Sequence, residues 1–198
     1  MYLENELDKF LKIKTSGRDA SNSNYLNFPY EATPYSVLQE LANSGHITKK
    51  DIVIDFGSGK GRVDFYLAYA TKAKMIGIEY DERLYNTSLE NKKHAISSNR
   101  VNFILTNALD YIIPDNVTCA YFFNPFSVKI LEEVMNNIKK SIKNNNREIK
   151  LFFYYPSKEY IEFINNEEKI THLDDIDCRH LFNNADQKEY IKIYTINE

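Results

Sequence analysis

Asp51-Ile52-Val53-Ile54-Asp55-Phe56-Gly57-Ser58-Gly59-Lys60-Gly61 joins a short apolar run to a turn that holds three of the chain's six glycines. An apolar run of this length, ended by glycine, reads as a β-strand buried on both faces. Each glycine removes a Cβ, so the backbone of the turn can approach a neighbour closely, and a helix that follows offers unpaired N–H groups to an anion. A turn that is merely tight needs one or two glycines, whereas three in five residues predict a ligand loop. After the loop, Val63, Leu67 and Ala70 recur at helical spacing between Arg62 and Lys72, and Met75-Ile76-Gly77-Ile78-Glu79 is a second buried strand. The unit is strand, crossover helix, strand, which fixes a parallel pair.

The alternation runs on in both directions. Upstream, Leu3, Leu7, Phe10 and Leu11 define a helix from Leu3 to Lys12, Thr15 to Asn24 is a polar loop, and a second helix starts at Thr33 and Pro34 and stops near Gly45. Downstream come a helix from Glu82 to Ser97, strands at Asn102–Leu105 and Thr118–Phe123, an amphipathic helix from Ser127 to Lys143, and a strand at Ile149–Tyr155. After a short helix at Glu159–Asn165, Lys169–Cys178 and Glu189–Ile196 alternate apolar and polar residues, the pattern of an antiparallel pair closing one edge. The expected fold is α/β, a three-layer α/β/α sandwich around a mostly parallel seven-stranded sheet with an antiparallel C-terminal strand. The whole span 1–198 reads as one domain, with helices and a covering loop in 1–50 and the core in 51–198.

Composition narrows the function classes. The chain has 198 residues, 25 Lys+Arg against 28 Asp+Glu, 43% hydrophobic and 14% aromatic residues. That balance excludes disorder and leaves no general field to attract a polyanion. Lys139, Lys140, Lys143, Arg147 and Lys150 read as the solvent face of a helix and its flank, so no strong nucleic-acid signature is present. Two cysteines, Cys119 and Cys178, are too few for a disulfide framework and lie outside metal-ligand spacings, so no metal is expected. No apolar run spans a membrane, and the expected location is cytoplasmic.

Glu79 ends the second strand 20 residues beyond Gly59, where an acidic side chain can accept hydrogen bonds from the ribose hydroxyls of a nucleoside. The dinucleotide fingerprint needs glycine at the position of Arg62, and a P-loop needs Ser or Thr at that of Gly61. A ligand with adenosine and no pyrophosphate remains, such as S-adenosylmethionine, whose ammonium requires an acceptor like Asp55.

Ile54 to Gly61, Gly77-Ile78-Glu79 and Thr106-Asn107-Ala108 together resemble the motif series of class I S-adenosylmethionine-dependent methyltransferases, across about Tyr30 to Tyr155. The resemblance implies a Rossmann-like fold and methyltransferase activity without a metal. It also implies cofactor contacts from Asp55, Gly57, Ser58, Gly59, Gly61 and Glu79, with Asn107 and Ala108 at the adenine. Asn124-Pro125-Phe126 after the fourth strand is similar to the motif with which amino methyltransferases grip an amine, which makes Asn124, Pro125 and Phe126 the expected catalytic residues. Asn124 is also expected near the cofactor.

Tyr30-Glu31-Ala32-Thr33 with these motifs resembles non-SET lysine methyltransferases of the disruptor-of-telomeric-silencing type and small prokaryotic relatives. That likeness implies a protein lysine as acceptor, Tyr30 and Thr33 folded over the cofactor, and Tyr35 and Tyr155 beside the substrate. The alternatives are a small-molecule or RNA acceptor, or a scaffold that binds the cofactor without catalysis.

Overall fold

The structure is a computed structural model that describes residues 2–198. Its elements in chain order are α1 (Tyr2–Leu11), α2 (Tyr35–Asn43), β1 (Ile52–Phe56), α3 (Arg62–Thr71), β2 (Lys74–Glu79), α4 (Glu82–Lys92), β3 (Val101–Leu105), β4 (Cys119–Phe122), α5 (Val128–Asn144), β5 (Ile149–Tyr154), α6 (Lys158–Asn165), β6 (Ile170–Asp177) and β7 (Tyr190–Ile196). One sheet takes them in the order β3-β2-β1-β4-β5-β7-β6. β1 to β5 pair in parallel, and β7 inserts antiparallel between β5 and β6. This is the expected α/β/α architecture with its antiparallel C-terminal pair.

Alternation along the strands distributes the core. Val53, Cys119, Tyr121, Phe152 and Tyr154 face one layer with α2 and α3, while Ile54, Phe56, Ala120, Phe122 and Phe153 face the other with α5 and α6. On the second face Phe56, Phe122 and Phe153 stack ring on ring at 5.0 and 4.8 Å. Burial on both faces explains why the central strands are apolar runs.

Two local expectations are corrected. Thr33 does not cap α2. Pro34 occupies the cap position with no side-chain hydrogen bond, while the Thr33 hydroxyl pairs with Tyr121 Oη at 3.0 Å. α4 ends at Lys92 and gives way to a turn before Ser97, because Ser97 Oγ donates to the Phe65 carbonyl and draws the chain onto α3. Among the described residues no helix is long and apolar enough to cross a membrane. Sheet order reverses between β2 and β4 on either side of β1, and a crevice opens there beyond the carboxyl ends of the strands.

Candidate functional site

A cavity of about 510 Å³ fills that crevice. Its floor begins at the turn after β1, where Gly57, Gly59 and Gly61 take φ of 80°, 54° and 86°, values that disfavour any side chain. Close approach is the second reason for glycine. A Cβ on Gly57 would lie 2.5 Å from Pro125 Cβ, and one on Gly59 would lie 2.2 Å from the Tyr30 ring. Gly57, Ser58 and Asp55 line the cavity, whereas Gly59 sits under Tyr30 and Gly61 packs against Phe103 and Phe65. In this structure Gly59 and Gly61 do not line the cavity, whereas Gly57, Ser58 and Asp55 do.

The N–H groups of Gly57, Ser58, Gly59 and Gly61 are also committed. Gly57 and Ser58 donate to the Ile78 carbonyl at 2.9 and 3.0 Å, Gly61 donates to the Ser58 carbonyl at 2.8 Å, and Gly59 donates to Glu79 Oε2 at 2.8 Å. Of the turn, Gly57 and Ser58 reach the cavity, with Asp55 just before them. Ser58 Oγ is buried without a partner, and the Asp55 carboxyl is pushed up to about 7, by burial first and then by the nearby Glu79 charge, against the effect of Asp64.

Glu79 reaches the cavity from the end of β2. Its carboxylate accepts from three backbone N–H groups, those of Gly59, Tyr80 and Asp81, which lock its orientation. Burial still raises its pKa, the three bonds opposing the shift. A carboxylate has about four acceptor positions. One remains, so one hydroxyl of a ribose is served without rearrangement. Asn107 and Ala108 line the same end, and Asn107 Oδ1 accepts from Leu109 N at 3.0 Å, which leaves its NH₂ for a ring nitrogen.

Residues 15–30 form a flap over the cavity. Asp19 and Tyr30 exchange backbone bonds of 3.0 and 2.8 Å, and Asn24 N donates to the Asn27 carbonyl to close the turn. One side is tied to β2 and α4: Tyr80 Oη donates to the Asn22 carbonyl at 2.8 Å, and Asn22 Nδ2 donates to Asp81 at 2.9 Å. The other side is tied to the segment after β4, where Phe28 N donates to the Pro125 carbonyl and Ser127 N to the Leu26 carbonyl. Tyr30 Oη donates to the Thr15 carbonyl, which lays its ring on Gly59, and Lys60 Nζ sits 5.0 Å above that ring.

The flap's base is held by a residue that sequence reasoning read only as an absent glycine. Arg62 is buried at the start of α3. Its guanidinium pairs with Glu4, donates to Thr15 Oγ1 at 2.7 Å, lies 3.8 Å from Asp8 and stacks on the Tyr35 ring at 4.5 Å. Asp8 in turn accepts from Thr15 and from Tyr35 Oη at 2.6 Å. Tyr35 is thereby fully buried and does not line the cavity. An acidic pair on the first helix and an arginine after the glycines were the available signal.

The far wall comes from the ends of β4 and β5. Asn124 has φ 41° and Tyr155 φ 50°. Asn124 Nδ2 donates to the Tyr155 carbonyl at 2.5 Å, and its Oδ1 accepts from Ser157 N at 3.2 Å, so the amide clamps two strand ends together. The Phe126 ring is buried edge-on against Phe56 and Phe122, and its carbonyl accepts from Tyr160 Oη. Of the three expected catalytic residues, all line the cavity, yet Asn124 Oδ1 and the Pro125 and Phe126 carbonyls already accept bonds within the fold. The rest of the wall is Tyr121, Phe123, Tyr154, Tyr155 and Phe182, with Glu31 and Glu189 among them and Thr33 at the edge. Among the described residues no cluster suited to a metal ion occurs.

No family model and no curated protein matches the chain. Solved structures do. An RNA methyltransferase from Salinibacter ruber in complex with S-adenosyl-L-homocysteine aligns with a TM-score of 0.54 at 17% identity, covering 84% of this chain and 93% of its own. A TehB-like SAM-dependent methyltransferase from Corynebacterium glutamicum aligns with a TM-score of 0.59 at 12% identity, covering 100% and 98%. An rRNA methylase from Streptococcus thermophilus gives 0.54 at 14% identity, covering 85% and 98%. The chain therefore has the Rossmann-like fold of S-adenosylmethionine-dependent methyltransferases. These likenesses reach the general fold and not the lysine-methyltransferase core.

Proposed function

We propose that the chain is an S-adenosylmethionine-dependent methyltransferase. The observation that carries this reading is the pair Asp55 and Glu79, with Ser58 beside the glycine turn, lining a roofed cavity at the sheet's switch point. The cavity volume suits a ligand of nucleoside size or larger. Glu79 would hold the ribose, Asn107 and Ala108 the adenine, and Asp55 with Ser58 the amino-acid end. When bound, S-adenosylmethionine supplies an electrophilic methyl group on a sulfonium. The protein's work is then to aim a lone pair and exclude water. The flap and Tyr30 exclude water. The aromatic far wall holds the acceptor in line, and Asn124 positions that wall by joining the ends of β4 and β5.

RNA is the acceptor supported by the neighbours' names, two of the three being RNA enzymes. A second reading, an amine on a small molecule or a protein, is supported by the rim, where Glu31 and Glu189 favour an alkylammonium and repel phosphate. The preference for a protein lysine draws no support from the neighbours. Labelled methyl transfer to a lysate, separated into RNA, protein and small-molecule fractions, distinguishes these readings. Label in RNA supports the first, and label confined to the other fractions supports the second. Absence of binding to both S-adenosylmethionine and S-adenosylhomocysteine in a calorimeter overturns the proposal.

A further inference from the structure

One buried acid has no place in the site as described. Asp64, in the first turn of α3, is fully buried, and neither of its carboxyl oxygens has a hydrogen-bond donor. It faces Asp55 within hydrogen-bonding reach, while Asp55 borders the cavity. Two facing carboxyls with no cation between them cannot both be ionised. Arg62, the nearest cation on α3, is spent on Glu4, Asp8 and Thr15. The other groups facing Asp55 are Glu79 from β2, Tyr121 from β4 and Tyr30 from the flap, none of them cationic.

We infer that Asp64 is a positioning residue that stays in its acid form and donates its proton in a hydrogen bond to Asp55, holding Asp55 as the carboxylate that receives the cofactor's ammonium. This rests on the cofactor reading above. The assignment of the proton follows from burial. Asp64 is the more enclosed of the two and is held well above the usual carboxylate range, by burial first and then by the Asp55 charge. Its hydrogen bond lowers the pKa of Asp55, opposing burial. An ammonium arriving beside Asp55 selects the ionised form, and any proton on Asp55 leaves to solvent. Affinity is then full above pH 7 and falls, by up to tenfold per pH unit, as pH drops below it.

The test compares S-adenosylhomocysteine, which carries the ammonium, with 5′-methylthioadenosine, which lacks the amino-acid end, by calorimetry from pH 5.5 to 9 in buffers of different ionisation enthalpy. Wild-type protein is expected to release roughly half a proton at pH 7 with the first ligand and none with the second. Asp64→Asn retains a donor and keeps that profile. Asp64→Ala removes the donor and moves the affinity midpoint to higher pH, a shift that a merely structural role would not produce. Identical midpoints in the two variants overturn the inference. Infrared spectroscopy of the ligand-free protein reads the proton directly: Asp64→Asn must remove one protonated-carboxyl band at pH 7, and retention of that band also overturns it. If neither ligand binds, the cofactor reading fails while the infrared result still decides the state of the acid pair.

Discussion

The floor of the cavity comes from one stretch of chain, Asp55 to Glu79, whereas its roof and far wall draw on residues 15–33, 123–126, 154–155 and 182–189. On the floor, Asp55 and Glu79 project from the ends of their own strands, and Glu79 is locked by the backbone N–H groups of Gly59, Tyr80 and Asp81. The roof and far wall are aimed by bonds between segments far apart in sequence: Arg62 to Glu4, Phe28 to Pro125, Asn124 to Ser157. Local geometry is robust and repeats as a sequence pattern. Assembled geometry depends on single anchors, and so the two regions should respond differently to mutation.

The sharpest break in that comparison is Arg62→Ala. It leaves Asp8 and Glu4 beside an empty space, and removing one partner of a buried ion pair costs about 3–5 kcal/mol. Urea denaturation should show this loss, accompanied by release of the flap. A change below 1 kcal/mol would mean that α1 does not depend on Arg62. Next comes Gly59→Ala, set against Gly45→Ala. Both positions have positive φ, so each substitution carries a backbone cost of about 1 kcal/mol. A Cβ at Gly45 meets nothing within 4 Å, whereas at Gly59 it meets the Tyr30 ring at 2.2 Å. Gly59→Ala should therefore lose about 1–3 kcal/mol more and displace the roof as well. Equal melting shifts would show that Tyr30 is not seated there.

Asn124→Ala removes two hydrogen bonds and a residue type suited to φ 41°, with an expected loss of about 2 kcal/mol. If turnover falls while cofactor affinity is kept, Asn124 positions the acceptor wall. Asp64→Asn works in the opposite direction. Asp64 is held protonated in the fold and is ionised in the unfolded chain at pH 7, so the stability from its raised pKa is fully present below about pH 4 and is lost as pH rises toward the folded pKa. The amide should make the protein more stable than wild type at pH 7, with the gain shrinking toward pH 4. A pH-independent difference would remove the proton from Asp64.

What was legible in the sequence follows the same division. The strands β1 and β2, the glycine turn and Glu79 were readable because apolar runs, glycine spacing and a strand-ending acid are local signals, and the parallel pairing of β1 with β2 followed from the βαβ unit, whereas the order of the strands in the sheet did not. Arg62 was not readable as an anchor, since its partners Glu4 and Asp8 lie on a helix whose docking no spacing reveals. The burial of Tyr35 was not readable either, since its partner Asp8 lies on the same helix. Asn124 lies on the cavity wall where the motif puts it, but the direction of its amide is decided by Ser157 and the Tyr155 carbonyl, which only the folded chain brings near.

The smallest expected effect tests whether the roof is a separable unit. Tyr80→Phe deletes one exposed hydroxyl, the donor of the 2.8 Å bond to the Asn22 carbonyl, and leaves the ring in place. A bond of this kind is worth about 0.5–1.5 kcal/mol, most of it expressed locally because Asn22 has no core of its own. Amide exchange at residues 21–28 should quicken by roughly threefold to tenfold, the factor that such a free energy gives. β1 and β4 should exchange at their wild-type rates, since none of their bonds is touched. If exchange quickened equally in the flap and in the central strands, roof and floor would open together, and the division between a local floor and an assembled roof would fail.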